Sequence, residues 1–172
     1  MNDIHEMYKR AGELHGHFCP GLAIGVRAAA EALKMLEVTD IQSHGLYCVA
    51  EKNACYTDGI QVLFGATTGK GNLTFRLTGK SAFSFYNEDN GASTRLVMKN
   101  LPAGMDKDAM TEHILTGPLD EIFTVGPVRF PRPQSAKRSP ELACSVCGEF
   151  TDEDKLRVKD GKPICIDCLE GK

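Results

Sequence analysis

The seven cysteines of this chain fall into two groups, and the second group limits the fold most strongly. Four of them lie within the last thirty residues and follow the pattern Cys144-x2-Cys147-x17-Cys165-x2-Cys168. This spacing suits a tetrahedral zinc site made of four thiolates. A segment of about thirty residues cannot bury enough apolar surface to fold unless a bound metal ion links its parts. We therefore predict a structural zinc ion at the C-terminal end.

The residues between the two cysteine pairs predict a small β-rich module. Gly148 follows the first pair and can adopt the positive φ that a zinc knuckle requires. Asp160-Gly161 is a strong hairpin signal between two short runs that favour strands. Together these features resemble a zinc ribbon or a treble clef. Residues 141–172 contain eight acidic and five basic side chains. This balance favours a protein partner over nucleic acid, although a zinc-finger regulator stays open as an alternative.

The chain is long enough for one ordinary domain and a small appendage, since it has 172 residues. We predict a core domain at 1–130, a linker at 131–140 with three prolines, and a four-cysteine zinc domain at 141–172. The N-terminus lacks a signal-peptide pattern, and no run approaches the roughly 18 apolar residues of a membrane span. We therefore expect a cytoplasmic protein with reduced thiols and no membrane association.

Local patterns in the core domain predict an α+β fold in which an antiparallel sheet packs with helices. Helices are expected at 4–14, 20–36, from Thr57 or Asp58 to about 64, and at 106–115. Strands are expected at 47–50, 73–78, 82–88, 93–99 and 123–130, with hairpin turns at Gly79-Lys80 and Asn90-Gly91. Glycine and alanine dominate the second helix, so another helix can approach it closely.

Cys19 and Cys55, far upstream of the zinc module, suggest a second and more reactive centre. His17 and Cys19 alternate, which in extended backbone places both side chains on the same side, and His15 shares that parity. Cys19 directly precedes Pro20, and Cys55 also lies just before a predicted helix, so both sulfurs should sit at helix N-termini, where the dipole favours a thiolate. His17, Cys19 and Cys55 can thus offer a metal three ligands and leave one position open. We expect zinc there, although the sequence leaves the identity of this second metal open.

Three further residues are candidates for catalytic roles if this centre performs chemistry. His15 or Asp58 would orient a ligand or carry a proton. Lys70 would present its cation to an anionic substrate from a glycine-rich loop that lacks the spacing of a P-loop. Each residue also has an ordinary interpretation on spacing alone, since Asp58 can serve only as an N-cap and a histidine or cysteine is often simply buried.

Three motifs resemble the signatures of the family named for the E subunit of formylmethanofuran dehydrogenase, and the match covers roughly residues 10 to 100. They occur in order at His15–Arg27, Cys55–Gln61 and Gly65–Leu73. The four-cysteine finger resembles one that many members carry. The resemblance implies an α+β core with a metal-associated cleft, a homodimer, and His17, Cys19 and Cys55 at the positions of the metal site. The family name implies a link to the molybdenum or tungsten enzyme that fixes carbon dioxide as a formyl group on methanofuran, although members also occur outside methane metabolism.

The sequence leaves open whether the protein is an enzyme. One interpretation is a metal active site in one-carbon metabolism or a related molybdenum or tungsten system. Another is a non-enzymatic accessory protein that delivers a metal or cofactor and docks through its finger. A third is a dithiol redox protein that uses Cys19 and Cys55. The substrate cannot be read from the residues.

Overall fold

The computed structural model describes residues 3–134 and 139–172. It divides the chain into two compact units, one ending at Gln134 and the other at Lys172. Residues 135–138, which belong to the predicted linker at 131–140, lie outside the described residues.

The first unit combines helices with a five-stranded sheet, which confirms the predicted α+β class. Its helices are α1 Ile4–His15, α2 Pro20–Met35, α3 Tyr56–Phe64, α4 Lys107–Thr116 and α5 Leu119–Ile122. Its strands are β1 Leu46–Ala50, β2 Leu73–Phe75, β3 Ala82–Asn87, β4 Ala92–Met98 and β5 Phe123–Gly126.

Two helices of the core, α1 and α4, begin at an aspartate N-cap. The Asp106 carboxylate accepts a hydrogen bond from the backbone N–H of Ala109 at 2.8 Å and starts α4. The start of α3 differs from the prediction, because Cys55 occupies the N-cap position instead of Thr57 or Asp58. The Thr57 hydroxyl donates to the carbonyl of Ala54 at 2.7 Å, so it closes the turn before the helix.

The sheet has the strand order β2-β1-β3-β4-β5 and is antiparallel except for β1 and β2. The β3–β4 hairpin forms as predicted around Asn90-Gly91. The hairpin predicted at Gly79-Lys80 is wrong, because β2 pairs in parallel with β1 instead of with β3. The connection between the two strands contains α3, and it returns the chain to the end of the sheet at which β1 begins. The strand β2 therefore runs in the same direction as β1.

The small residues of α2 allow a very close crossing with α3, as the sequence predicts. A Cβ on Gly25 would lie 1.9 Å from the carbonyl oxygen of Tyr56, and a Cβ on Gly59 would lie 2.8 Å from the backbone nitrogen of Val26. No residue except glycine fits either position without movement of the helices. This crossing brings the N-terminal ends of the two helices together.

The face of the sheet opposite these helices is partly covered by residues 127–133. The Tyr86 hydroxyl donates to the carbonyl of Phe130 at 3.0 Å, and the Arg132 guanidinium lies 4.0 Å from the ring centre of Tyr47. The first residues of the predicted linker therefore pack against the core sheet.

The second unit is built from two hairpins and a short helix. Its elements are β6 Glu141–Ala143, β7 Phe150–Asp152, β8 Arg157–Lys159, β9 Lys162–Ile164 and α6 Ile166–Glu170. Asp160 and Gly161 form the predicted turn between β8 and β9, both with positive φ. This arrangement agrees with the predicted zinc-ribbon or treble-clef-like module. Among the described residues of both units, no helix is long and apolar enough to cross a membrane.

Candidate metal centre

The four C-terminal cysteines converge on one point. The sulfurs of Cys144, Cys147, Cys165 and Cys168 all lie within 4.8 Å of one another. The Cys144 sulfur accepts hydrogen bonds from the backbone N–H groups of Val146 at 3.4 Å and Cys165 at 3.3 Å. Backbone N–H groups of Cys147, Cys165 and Val146 lower the pKa of Cys144 to about 6, which favours the thiolate that a metal requires.

This donor set fits zinc, because four thiolates within mutual reach are the usual ligands of a structural zinc ion. The apolar centre of the second unit consists of little more than the cysteines themselves. Its buried members are Cys144, Ile164 and Cys165, with Leu156 and Cys168 packed against them. A unit with so few buried residues depends on its metal for folding, so the ion is structural.

The upstream residues form a second cluster. Ligand atoms of His15, His17, Cys19 and Cys55 lie within 4.8 Å of one another. The structure thus places the three predicted ligands, His17, Cys19 and Cys55, side by side and adds His15 as a fourth donor. The parity of His15 with His17 and Cys19 was the sequence signal for this fourth member.

Two helix N-termini position the sulfurs of this cluster. Cys19 is the N-cap of α2, and its sulfur accepts a hydrogen bond from the backbone N–H of Leu22 at 3.3 Å. Cys55 is the N-cap of α3. Gly21 lies between them, and a Cβ there would sit 3.7 Å from both sulfurs and 3.2 Å from Cys55 Cβ. The absence of a side chain at Gly21 leaves the space in which the two sulfurs face each other.

The imidazole ring of His15 is oriented by a hydrogen bond to the carboxylate of Asp58. Its Nδ1 lies 2.7 Å from Asp58 Oδ2, and Gln61 Nε2 donates to Asp58 Oδ1 at 3.2 Å. The other ring nitrogen of His15, Nε2, is buried and has no hydrogen-bond partner among the described residues. A neutral imidazole that donates through Nδ1 to a carboxylate presents a lone pair on Nε2, which is the usual arrangement of a metal-bound histidine. The cluster therefore fits a metal ion.

His17 differs from the other donors in its exposure. His15, Cys19 and Cys55 are partly buried, whereas His17 is exposed to solvent, with its ring centre 4.3 Å from that of His15. Burial, and then the nearby Cys19, raise the pKa of Cys55. Two thiolates this close repel each other unless a cation lies between them.

Lys70 lies elsewhere. Its ammonium donates to the carbonyl of Gly65 at 3.2 Å, just beyond the C-terminal end of α3, whereas Cys55 precedes the N-terminal end of that helix. Nine helical residues span about 13 Å. The structure therefore brings Asp58 to the cluster but not Lys70. Gln61, which steadies Asp58, was not singled out from the sequence.

Each of the two units matches the model of a known protein family. The model of the FmdE family, described as "Molybdenum formylmethanofuran dehydrogenase operon", matches residues 14–123. The chain belongs to the FmdE family. The model of the prokaryotic dksA/traR C4-type zinc finger matches residues 138–172 of this FmdE-family protein. The protein therefore binds metal, with structural zinc in its finger.

Two individual proteins resemble this FmdE-family chain. A protein of Archaeoglobus fulgidus named "Probable S-adenosyl-L-methionine-binding protein" is 34% identical over 92% of the chain. The chain spans about half of that protein, 51% of its length. A tungsten formylmethanofuran dehydrogenase FmdE-like protein from Syntrophus aciditrophicus has the same fold, with a TM-score of 0.72 at 19% identity, over 98% of this chain and 93% of the other.

Proposed function

We propose that the core of this protein holds a functional metal ion, zinc by preference, on His15, His17, Cys19 and Cys55. The supporting observation is the buried Nε2 of His15, which has no partner among the described residues while Nδ1 is engaged by Asp58. Leaving a buried ring nitrogen unpaired costs free energy, roughly 1 to 3 kcal/mol. A metal bound at Nε2 removes this cost, since the nitrogen then donates its lone pair to the ion.

The differing exposure of the four donors favours a reactive site over a purely structural one. His17 is the exposed donor and would be the one that water or a substrate can replace, whereas the partly buried His15, Cys19 and Cys55 would hold the ion. A zinc ion in such a site would act as a Lewis acid or would lower the pKa of a water molecule. Asp58 keeps the His15 proton on Nδ1 and orients the ring, and Gln61 fixes Asp58 in turn.

Family membership suggests a role in one-carbon metabolism or another molybdenum or tungsten enzyme system. The relative from Archaeoglobus fulgidus, of which the chain spans 51%, makes S-adenosyl-L-methionine a sensible ligand to test. An accessory role in metal or cofactor delivery is the main alternative. If His17 stays bound and all four donors fill the coordination sphere, delivery is favoured; if water replaces His17, chemistry is favoured. X-ray absorption spectroscopy of the metal-loaded protein distinguishes the two cases by counting nitrogen, sulfur and water ligands.

Metal content per chain tests the core site directly. Protein purified without oxygen should hold two metal ions per chain, and Cys19→Ser should hold one while its circular dichroism spectrum is retained. Cys48→Ala is the matched control, because Cys48 is a buried cysteine on β1 that belongs to neither cluster. One metal ion in both the native protein and Cys19→Ser would contradict the core site.

A dithiol redox role is a second candidate, favoured by the proximity of the Cys19 and Cys55 sulfurs within 4.8 Å. In that case oxidation by a disulfide reagent such as oxidised glutathione would join the two sulfurs and reduce the reagent to two thiols. The protein would then be about two mass units lighter by mass spectrometry, since two thiol hydrogens are lost. Protection of both thiols by a metal during this treatment would argue against the redox role.

We also propose a homodimer that resides in the cytoplasm and a protein partner for the finger. The dimer follows from the family resemblance, and the protein partner follows from the acidic balance of residues 141–172. Light scattering of the purified protein tests the dimer by its mass, since one chain weighs 18.7 kDa.

A further inference from the structure

A cavity lies on the face of the sheet that α2 and α3 do not cover. Its volume is about 240 Å³, and we call it the arginine cavity; its lining residues are Arg95, Val97, Thr124, Gly126, Pro127, Val128 and Arg129. In the antiparallel pairing of β4 with β5, Arg95 lies opposite Gly126, and Val97 opposite Thr124. Since alternate residues of a strand share a face, these four positions form one side of the cavity.

Arg95 is buried, with 4% of its surface exposed, and its guanidinium is held in one orientation. Glu51 Oε1 accepts from Arg95 Nε at 2.9 Å and from Nη2 at 2.5 Å, and Thr78 donates to Glu51 Oε2 at 2.8 Å. These bonds use one edge of the guanidinium. Nη1 has no partner among the described residues, so Arg95 keeps donors for an acceptor in the cavity that it lines.

Arg129 supplies charge that the protein itself does not neutralise. Glu51 compensates Arg95, whereas Arg129 forms no ion pair within the described part of the chain. Arg129 is exposed and lines the same cavity as Arg95 and the hydroxyl-bearing Thr124. The lining therefore carries a net positive charge and several hydrogen-bond donors, which is the chemistry that recognises carboxylates and phosphates.

The rest of the cavity is apolar and open. Val97, Pro127 and Val128 present hydrocarbon surface. Gly126 needs no positive φ, and a Cβ on it would meet nothing within 4 Å. Neither the backbone nor internal packing therefore requires glycine there, and its missing side chain keeps the space opposite Arg95 free.

We propose that the arginine cavity binds a small organic anion, with a carboxylate or phosphate head on Arg95 and Arg129 and a short apolar stem against Val97, Pro127 and Val128. Because the lining has a charged part and an apolar part, we expect tight binding to require both the anionic head and the apolar stem of the ligand. This site is separate from the metal cluster at the N-termini of α2 and α3, and the proposal does not depend on a metal there.

Calorimetric titration of the full-length protein tests the proposal with four probes. Butyl phosphate and pentanoate carry both a charged head and an apolar stem, inorganic phosphate lacks the stem, and pentanol lacks the charge. We expect at least one of the first two to bind in the millimolar range or tighter, about tenfold better than the corresponding partial ligand. Equal binding in Cys19→Ser would exclude the core metal as the receptor of the anion.

Two variants locate the binding. Gly126→Val fills the cavity and Arg129→Gln removes its free charge, and each should weaken binding by about tenfold or more. Arg10→Gln, which changes an exposed arginine on α1, should bind like the native protein. Thermal unfolding verifies that each variant is folded. Absence of binding by both organic anions, binding no better than that of inorganic phosphate, or unchanged binding in folded Gly126→Val and Arg129→Gln would overturn the proposal.

Discussion

His15 Nδ1 lies 2.7 Å from Asp58 Oδ2, and this contact joins the last residue of α1 to the first turn of α3. The two residues are 43 positions apart in the chain. Their contact leaves Nε2 of His15 available to a metal, since the Asp58 carboxylate accepts a hydrogen bond from Nδ1–H. It also ties the first two motifs of the family to one another.

Removing the Asp58 charge should weaken metal binding without removing a ligand. Asp58→Asn keeps the size of the side chain but removes the negative charge that stabilises the Nδ1 proton of His15. We expect the affinity of the core site for zinc to fall about 10-fold to 100-fold, as measured by competition with a chromophoric chelator. Asp108→Asn, which changes an exposed carboxylate in the first turn of α4, should leave the affinity unchanged. Equal effects of the two substitutions would disprove a specific role for Asp58.

The two histidines of the cluster should differ in importance. His15→Ala removes a partly buried donor and leaves Asp58 with Gln61 but without an imidazole to orient, so we expect loss of one metal ion per chain. His17→Ala removes an exposed donor that water can replace, so the ion should remain but exchange faster. Elemental analysis after brief dialysis against a weak chelator measures both. Retention of the metal by His15→Ala and its loss from His17→Ala would reverse the proposed order.

Close contact of α2 with α3 should make Gly25 intolerant of any side chain. Gly25→Ala would place a Cβ 1.9 Å from the backbone oxygen of Tyr56, next to Cys55. We expect a loss of about 3 kcal/mol or more in the free energy of unfolding, together with weaker metal binding. Gly69→Ala is the control, because a Cβ there meets nothing within 4 Å and should change stability by less than about 0.5 kcal/mol. Urea unfolding measures both.

Glu37 is held in a conformation that favours glycine. Its φ is 50°, and it follows α2 with the two backbone hydrogen bonds of a Schellman motif, from Glu37 to Lys34 and from Val38 to Leu33. Glu37→Gly should therefore stabilise the protein by about 1 kcal/mol. Glu37→Ala keeps the strain and should show no such gain. A similar gain from both substitutions would point to the side chain of Glu37 instead of its backbone.

The buried pair of Glu51 with Arg95 should matter far more than a surface pair. Burial alone would raise the pKa of Glu51, but hydrogen bonds from Arg95 and Thr78 outweigh it and hold this pKa below its ordinary value. Glu51→Gln leaves Arg95 buried without a counter-charge and should cost about 3 to 5 kcal/mol. Glu88→Gln breaks an exposed pair with Arg132 and should cost less than about 1 kcal/mol.

The lowered pKa of Glu51 also predicts the direction of its pH dependence. The folded protein binds fewer protons at this carboxyl than the unfolded chain. Its contribution to stability is therefore complete above the unfolded pKa and is lost as the pH falls through the folded pKa. Carbon-13 NMR of the Glu51 side-chain carboxyl measures the folded pKa directly. A value above that of an exposed glutamate would contradict the expected direction.

Local signals in the sequence predicted most helices and strands well. Asp106 and Pro20 mark helix starts because their effects act within one turn. Asn90-Gly91 marks a hairpin because the turn itself demands positive φ. The pairing of β2 failed for the opposite reason, since Gly79-Lys80 looked like a turn but the partner of β2 was decided by the crossover through α3.

The sequence by itself determined the finger, because two Cys-x2-Cys pairs separated by a hairpin signal specify zinc ligands through local spacing alone. The sequence also led us to predict His17, Cys19 and Cys55 as ligands of a single metal site. Only the tertiary structure decided that His15 is a fourth donor of this cluster and that Asp58 is hydrogen-bonded to His15. It also decided that Lys70 lies at the other end of α3, away from the cluster. These relations depend on where α1, α2 and α3 cross, and the crossing is set by the packing of glycines against distant backbone, which no local pattern encodes.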